Sequence, residues 1–182
     1  MRKNSLLRTD RELGEIYRRN VDTVYRLCYM YLKNSADAED AVQSIFLKLI
    51  KSSPIFSDHE HEKAWFIVLT QNHCKDILKS WWKTRRIDLT ALPEVSCWDD
   101  CEQSGEVLER LLTLPNKYKI VLYLYYFEDY SVKEISNMLK RKVSTIQTQL
   151  ATGRKLLKMN LVDRTQDNYV INLRTRDKTV EN

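Results

Sequence analysis

Apolar residues recur at helical spacing along most of this chain. Ile16, Tyr17, Val21, Val24, Tyr25, Leu27, Cys28 and Tyr31 mark one face of a first helix over 10–33, with a break expected near Asn20. Ser35-Ala-Asp-Ala-Glu opens a second helix. Its Asp37, Glu39 and Asp40 sit where negative charge suits the positive end of the helix dipole. Ala41, Val42, Ile45, Phe46, Leu49 and Ile50 continue it at i, i+3, i+4 spacing and are expected to pack inward, and Ser52-Ser53-Pro54 stops it. Residues 55–63 look like a polar loop with one aromatic, Phe56. A third helix over 64–83 would bury Trp65, Val68, Leu69, Ile77 and Leu78. The helical period then lapses over 87–105. It returns in a short helix over 106–114 and in a helix opened by Pro115 that carries Ile120, Val121, Leu124, Tyr125 and Phe127. Beyond Leu161 it lapses again. That tail is expected to be mostly mobile, with a short β-like run at Tyr169 to Leu173.

The stretch between, Ser131 to Lys158, has the form of a helix-turn-helix. Ser131 and Glu134 make a capping box, and Val132, Ile135, Met138 and Leu139 form an apolar stripe. Lys140, Arg141 and Lys142 are the joint. A second helix starts near Ser144, where Gln147 would complete another capping box, and buries Ile146, Leu150, Gly153 and Leu157. Its other face is polar: Thr145, Gln147, Thr148, Gln149, Thr152, Arg154 and Lys155. Lys140 to Lys158 holds six bases and no acid. In such a motif one helix braces and the next enters the major groove; a plain helical hairpin with a solvated face has the same period.

Composition narrows the class. With 182 residues, 43% apolar, three Gly and three Pro, the chain suits an all-α protein of one large or two small domains. The net charge of +5 is modest, but its distribution is uneven. Lys75 to Arg86 carries five bases and one acid, whereas Glu94 to Glu109 carries six acids and no base. The acidic stretch, with Pro93, Ser104 and Gly105, makes 87–105 a flexible linker between domains at 1–86 and 106–160. No apolar run approaches the ~20 residues that span a bilayer, and no signal peptide is apparent, so a cytosolic protein is expected. Cys28, Cys74, Cys97 and Cys101 are then thiols. Cys97 and Cys101, with His59, His61 and His73 elsewhere, do not make a zinc set. Without a Gly-rich phosphate loop or a convergent acid cluster, neither an enzyme nor a cofactor is expected.

Two features point to nucleic acid outside the helix-turn-helix. Asn72, Lys75, Lys79 and Lys83 share one side of the third helix, and Trp81 and Trp82 end it beside Arg85 and Arg86. Cations that follow phosphates beside rings that stack on unpaired bases suit a single strand, each stack being worth ~1–3 kcal/mol. One of two adjacent tryptophans must nevertheless face the core. Phe56 either anchors its loop or stacks on a base.

Taken together, residues 10–160 resemble a bacterial RNA polymerase sigma factor of the extracytoplasmic-function (ECF) type, in the sigma-70 family. Tyr17 to Leu32 looks like the opening helix. Ala36-Asp-Ala-Glu-Asp-Ala-Val-Gln-Ser-Ile-Phe-Leu is similar to the family's DAEDxxQExF segment, and Trp65-Phe-Ile-Val-Leu-Thr-Gln-Asn to its WLxxIaxN stretch. Leu114-Pro with Ile120-Val-Leu resembles the LPxxxrxvlxL opening of its second domain, and Tyr126-Phe-Glu-Asp-Tyr-Ser-Val-Lys-Glu-Ile its yxegxsyxEIA helix. The resemblance implies that Asp40, Gln43, Phe46, Leu47 and Lys48 dock on the clamp of the largest subunit of core RNA polymerase. It implies that Asn72 lines a pocket for a base flipped from the −10 promoter element, and that Phe56 lies in the loop that reads this element. Lys75, Lys79, Trp82, Lys83, Arg85 and Arg86 would hold the same DNA. The linker would follow the RNA exit path. Ser144, Thr145, Gln147, Thr148 and Gln149 would read the −35 element, with Lys140, Arg141, Lys142, Arg154 and Lys155 on phosphates. An anti-sigma factor is a further implied partner.

The chain departs from the family in places. Ser44 stands where Glu is usual, and Lys140-Arg-Lys replaces a Gly-Ile-Ser joint, so Lys140 would adopt a left-handed backbone at a cost of ~1 kcal/mol. Gln147, Gln149 and Thr152 replace bases. Because Gln pairs bidentately with adenine, an A·T-richer −35 element is expected. The competing reading is a stand-alone helix-turn-helix regulator with an N-terminal partner-binding domain.

Overall fold

The computed structural model describes residues 8–84 and 110–162, and the side chains of 82–84 and 159–162 are left out of the account. Expectations for Arg85, Arg86, the 87–105 linker, Cys97, Cys101 and the tail from 163 lie outside the described residues. Among those described, every regular element is a helix, and none is long and apolar enough to cross a membrane.

The first domain is a three-helix bundle. Helix α1 spans Asp10–Leu32 behind a capping box in which the Glu12 N–H donates to Thr9 Oγ1 and the Thr9 N–H to Glu12 Oε2. The break expected at Asn20 is absent. The Asn20 side chain is buried and donates to the Ile16 carbonyl at 2.9 Å and to Glu62 Oε1 at 2.7 Å, so a polar residue is satisfied without interrupting the helix. Helix α2 spans Ser35–Ser52, capped by Asn34. It buries Ala38, Ala41, Val42, Ile45, Phe46 and Leu49, but Ile50, expected inward, is half exposed because it follows the stripe by one residue and so turns about 100° away. Helix α3 spans His59–Thr84 and starts five residues before the sequence pattern suggests. Asp58 caps it, accepting the His61 N–H at 2.7 Å.

The core face of α3 also differs from expectation. Phe66, Ile67, Thr70, Gln71 and Cys74 are buried, whereas Trp65, Val68, Leu69, Ile77 and Leu78 flank them half-buried. Since α3 packs on both α1 and α2, its centre line is the most buried strip. Glu62, Thr70 and Gln71 lie on that strip and dilute its apolar signal. Glu62 is the acceptor for Arg19 and Asn20 of α1, and the Gln71 oxygen accepts from the Tyr31 hydroxyl at 3.4 Å.

The second domain contains α4 (110–113 among the described residues), α5 (Asn116–Tyr126), α6 (Val132–Leu139) and α7 (Val143–Val162). Six successive residues of α5, Lys119 to Leu124, are buried. A helix buried on every side must have neighbours on every side: α6 and α7 cover part of it, and α1 of the first domain covers another part. Phe127, expected in this core, is 38% exposed and stacks on Tyr123. At Gly153 of α7, an added Cβ would lie 2.9 Å from Leu122 Cδ1, so a hydrogen at this position lets α7 approach α5.

The two domains touch along α1–α5 and α3–α6. Glu128 lies at the centre of the contact. Its carboxylate accepts the Thr23 hydroxyl at 3.2 Å, the Lys63 ammonium at 2.7 Å and the Tyr123 hydroxyl, while Lys63 also lies 5.8 Å from the Tyr130 ring centre.

Candidate nucleic-acid interface

The helix-turn-helix is built as its sequence suggests through α6. Ser131 and Glu134 form the capping box, and Ile135, Met138 and Leu139 are buried. Lys140 takes the left-handed conformation, φ 51° and ψ 49°, at the C-cap. Buried Ser136 staples the joint: its hydroxyl donates to the Arg141 carbonyl at 2.5 Å, and its own carbonyl accepts the Arg141 N–H at 3.0 Å. Those bonds offset the strain at Lys140. The second capping box does not form. Helix α7 begins at Val143, where the Lys142 carbonyl accepts the N–H groups of Thr145 and Ile146, so Ser144 lies inside the first turn.

Helix α7 buries Ile146, Leu150, Gly153 and Leu157 and turns Ser144, Thr145, Gln147 and Thr148 to solvent. Ser144, Thr145, Thr148, Gln149 and Thr152 line an open cleft of about 350 Å³ with Lys117 and Tyr118 of α5. Not all of the polar face is free. The Gln149 oxygen accepts Arg141 Nη1 at 2.9 Å, and the Thr148 hydroxyl donates to the Ser144 carbonyl. Arg154 Nε donates to the Tyr126 hydroxyl at 2.7 Å, and its guanidinium lies over the Tyr125 and Tyr126 rings. Lys140, Lys142 and Lys155 are exposed cations.

On α3, Asn72 and Lys79 are exposed, the latter paired with Asp76 at 3.4 Å. Lys75 is half-buried; burial, then Arg141 and Lys79 nearby, hold its amine below the ordinary lysine value. Trp81 is half-buried, and its neighbour Trp82 lies among the side chains left out. Phe56 is half-buried, with the Trp65 ring 5.5 Å and the His61 ring 5.9 Å from it in edge-on contact.

On α2, Asp40, Gln43, Leu47 and Lys48 are exposed, Leu47 at 53%. Phe46 is buried between Tyr17 (4.7 Å) and Phe66 (5.1 Å), so its ring supports this surface from beneath. Lys48 Nζ donates to His73 Nδ1 at 2.9 Å, and burial and this cation hold the His73 ring below the usual histidine value. Among the described residues no cluster of His, Cys, Asp or Glu could hold a metal ion. Sequence reasoning missed Arg8, whose guanidinium lies 5.0 Å from the Phe56 ring centre and donates to the Pro54 carbonyl. A lone Arg before the first helical period offers no signal of such a contact.

Two helical domains, one with an exposed basic joint ahead of an acid-free helix, define a DNA-binding transcription protein. Comparison with known proteins gives the family. Residues 16–84 match Sigma-70 region 2, and residues 104–157 match Sigma-70, region 4. The RNA polymerase sigma factor SigV of Bacillus subtilis is 30% identical over 75% of this chain and 83% of its own length. The ECF sigma factor SigW of the same organism is 26% identical over 84% and 88%. Among solved structures, the sigma factor RpoE in complex with the anti-sigma factor NepR, from Bartonella quintana, superposes with a TM-score of 0.65 over 83% of this chain and 97% of its own, at 13% identity. The chain belongs to the sigma-70 family of RNA polymerase sigma factors, in its ECF group. It is a subunit that binds core RNA polymerase and directs initiation at promoters through −10 and −35 elements.

Proposed function

We propose a division of labour along the chain. Residues 1–86 bind core polymerase and read and melt the −10 element, 87–105 form the acidic linker, 106–160 read the −35 element, and 161–182 are a tail. Asp40, Gln43, Leu47 and Lys48, backed by Phe46, meet the polymerase clamp. Asn72 receives the flipped base, Phe56 belongs to the reading loop, and Lys75, Lys79, Trp82, Lys83, Arg85 and Arg86 track the strand. Gln147, with Ser144, Thr145 and Thr148, reads duplex bases, while Gln149 does so from a position held by Arg141. Lys140, Arg141, Lys142, Arg154 and Lys155 fix the register on phosphates. The protein has no catalytic role and works in the cytoplasm. An anti-sigma factor is a fitting partner, since RpoE of Bartonella quintana was solved with one.

The observation that carries this reading is the exposed acid-free surface from Lys140 to Lys155, in one chain with the exposed Asn72 and Lys79 of α3. Its test is selection from randomised promoters with core polymerase present. Replacing Gln147 and Gln149 should shift the −35 preference alone, and Asn72→Ala should impair opening while sparing core binding. An unchanged −35 profile, or loss of core binding with Asn72→Ala, contradicts the assignment.

A further inference from the structure

We propose that Arg8 is a positioning residue for −10 recognition, a proposal that rests on the reading of the Phe56 loop given above. The loop lies 46 residues from Arg8, yet one guanidinium makes two contacts with it: Nη2 with the Pro54 carbonyl, and its face with the Phe56 ring, 5.0 Å from the ring centre. The other ring contacts of Phe56 come from His61 and Trp65. His61 is itself tied to the loop, because its Nδ1 accepts the Ser57 N–H at 3.3 Å and Asp58 accepts its backbone N–H. Without Arg8, the remaining ring contacts of Phe56 come from the α3 side alone. A planar guanidinium can lie flat on a ring while an N–H at its edge donates, a geometry that a compact ammonium does not reproduce. The test is initiation by core polymerase from a library randomised at −10, with Arg8→Ala, Arg8→Lys and Phe56→Ala. Arg8→Ala should flatten the −10 preference several-fold, Arg8→Lys should not restore it, and core affinity and −35 preference should stay unchanged. A wild-type −10 profile in both Arg8 variants, with a changed one in Phe56→Ala, overturns the role of Arg8. A wild-type profile in Phe56→Ala overturns the loop reading beneath it.

Discussion

Lys119 offers the sharpest test of the packing. It stands on the fully buried run of α5, its amine has no hydrogen-bond partner among the described residues, and the charge that acts on it is the like-signed Lys33. Burial, then Lys33, pulls its pKa from the ordinary 10.5 to about 7. A lysine whose folded pKa is depressed binds its proton more tightly when unfolded. Stability therefore rises with pH between about 7 and 10.5, and the penalty is fully present below that window. At about 1.4 kcal/mol per pKa unit, the difference sets an upper bound of roughly 5 kcal/mol, and relaxation and water entry reduce it. Lys119→Met keeps an unbranched side chain one heavy atom shorter and removes the charge. It should stabilise the protein by ~1–3 kcal/mol at pH 7 in urea unfolding followed by circular dichroism. The gap between variant and wild type should shrink as pH rises to 9. A less stable variant at pH 7, or a gap equal at pH 6 and 9, would mean that Lys119 is solvated or paired and that the buried amine is misread.

Other substitutions probe different parts of the structure. Gly153→Ala gains up to ~1 kcal/mol of helix propensity but forces a methyl against Leu122 and Tyr118. Overpacking of ~1–3 kcal/mol should dominate, and a raised melting temperature would contradict the close approach. Lys140→Gly should stabilise by ~1 kcal/mol by relieving the left-handed Lys, as measured by urea midpoint, and a loss would show that Lys140 is unstrained. Glu62→Ala leaves Asn20 and Arg19 without their shared acceptor and should cost ~3–5 kcal/mol in thermal unfolding, whereas a cost below 1 kcal/mol would mean that water replaces the carboxylate. Leu47→Asp should weaken core polymerase binding at least tenfold in a competition assay without lowering the melting temperature, because Leu47 is exposed. Unchanged affinity would remove Leu47 from the clamp surface.

Much of this was legible from periodicity. The helices α1, α2, α6 and α7 follow apolar spacing within a few residues, whereas the left-handed Lys140 was implied by the family resemblance, which has Gly at the start of the joint. What periodicity could not show is where polar residues enter the core. Asn20 suggested a break, but a partner 42 residues away on α3 satisfies it. Glu62, Thr70 and Gln71 hid the central strip of α3 and shifted the apparent face to its flanks. The early start of α3 was readable in principle, since Asp58 is a good cap, but the charged residues after it resembled a loop. The outward glutamines of α7 looked equivalent in sequence, yet Arg141 engages Gln149 and leaves Gln147 open to solvent. Contacts such as Arg8 with Phe56 and Glu128 with Lys63 depend on tertiary geometry and have no local signature.

The central claim is that one chain grips polymerase and both promoter elements. Its most direct measurement is transcription in vitro by core polymerase, with and without this chain, on templates in which each element is intact or scrambled. The account predicts a stoichiometric complex with core and initiation that falls when either element is scrambled. A chain that binds duplex tightly by itself, forms no complex with core and starts no transcript would contradict it.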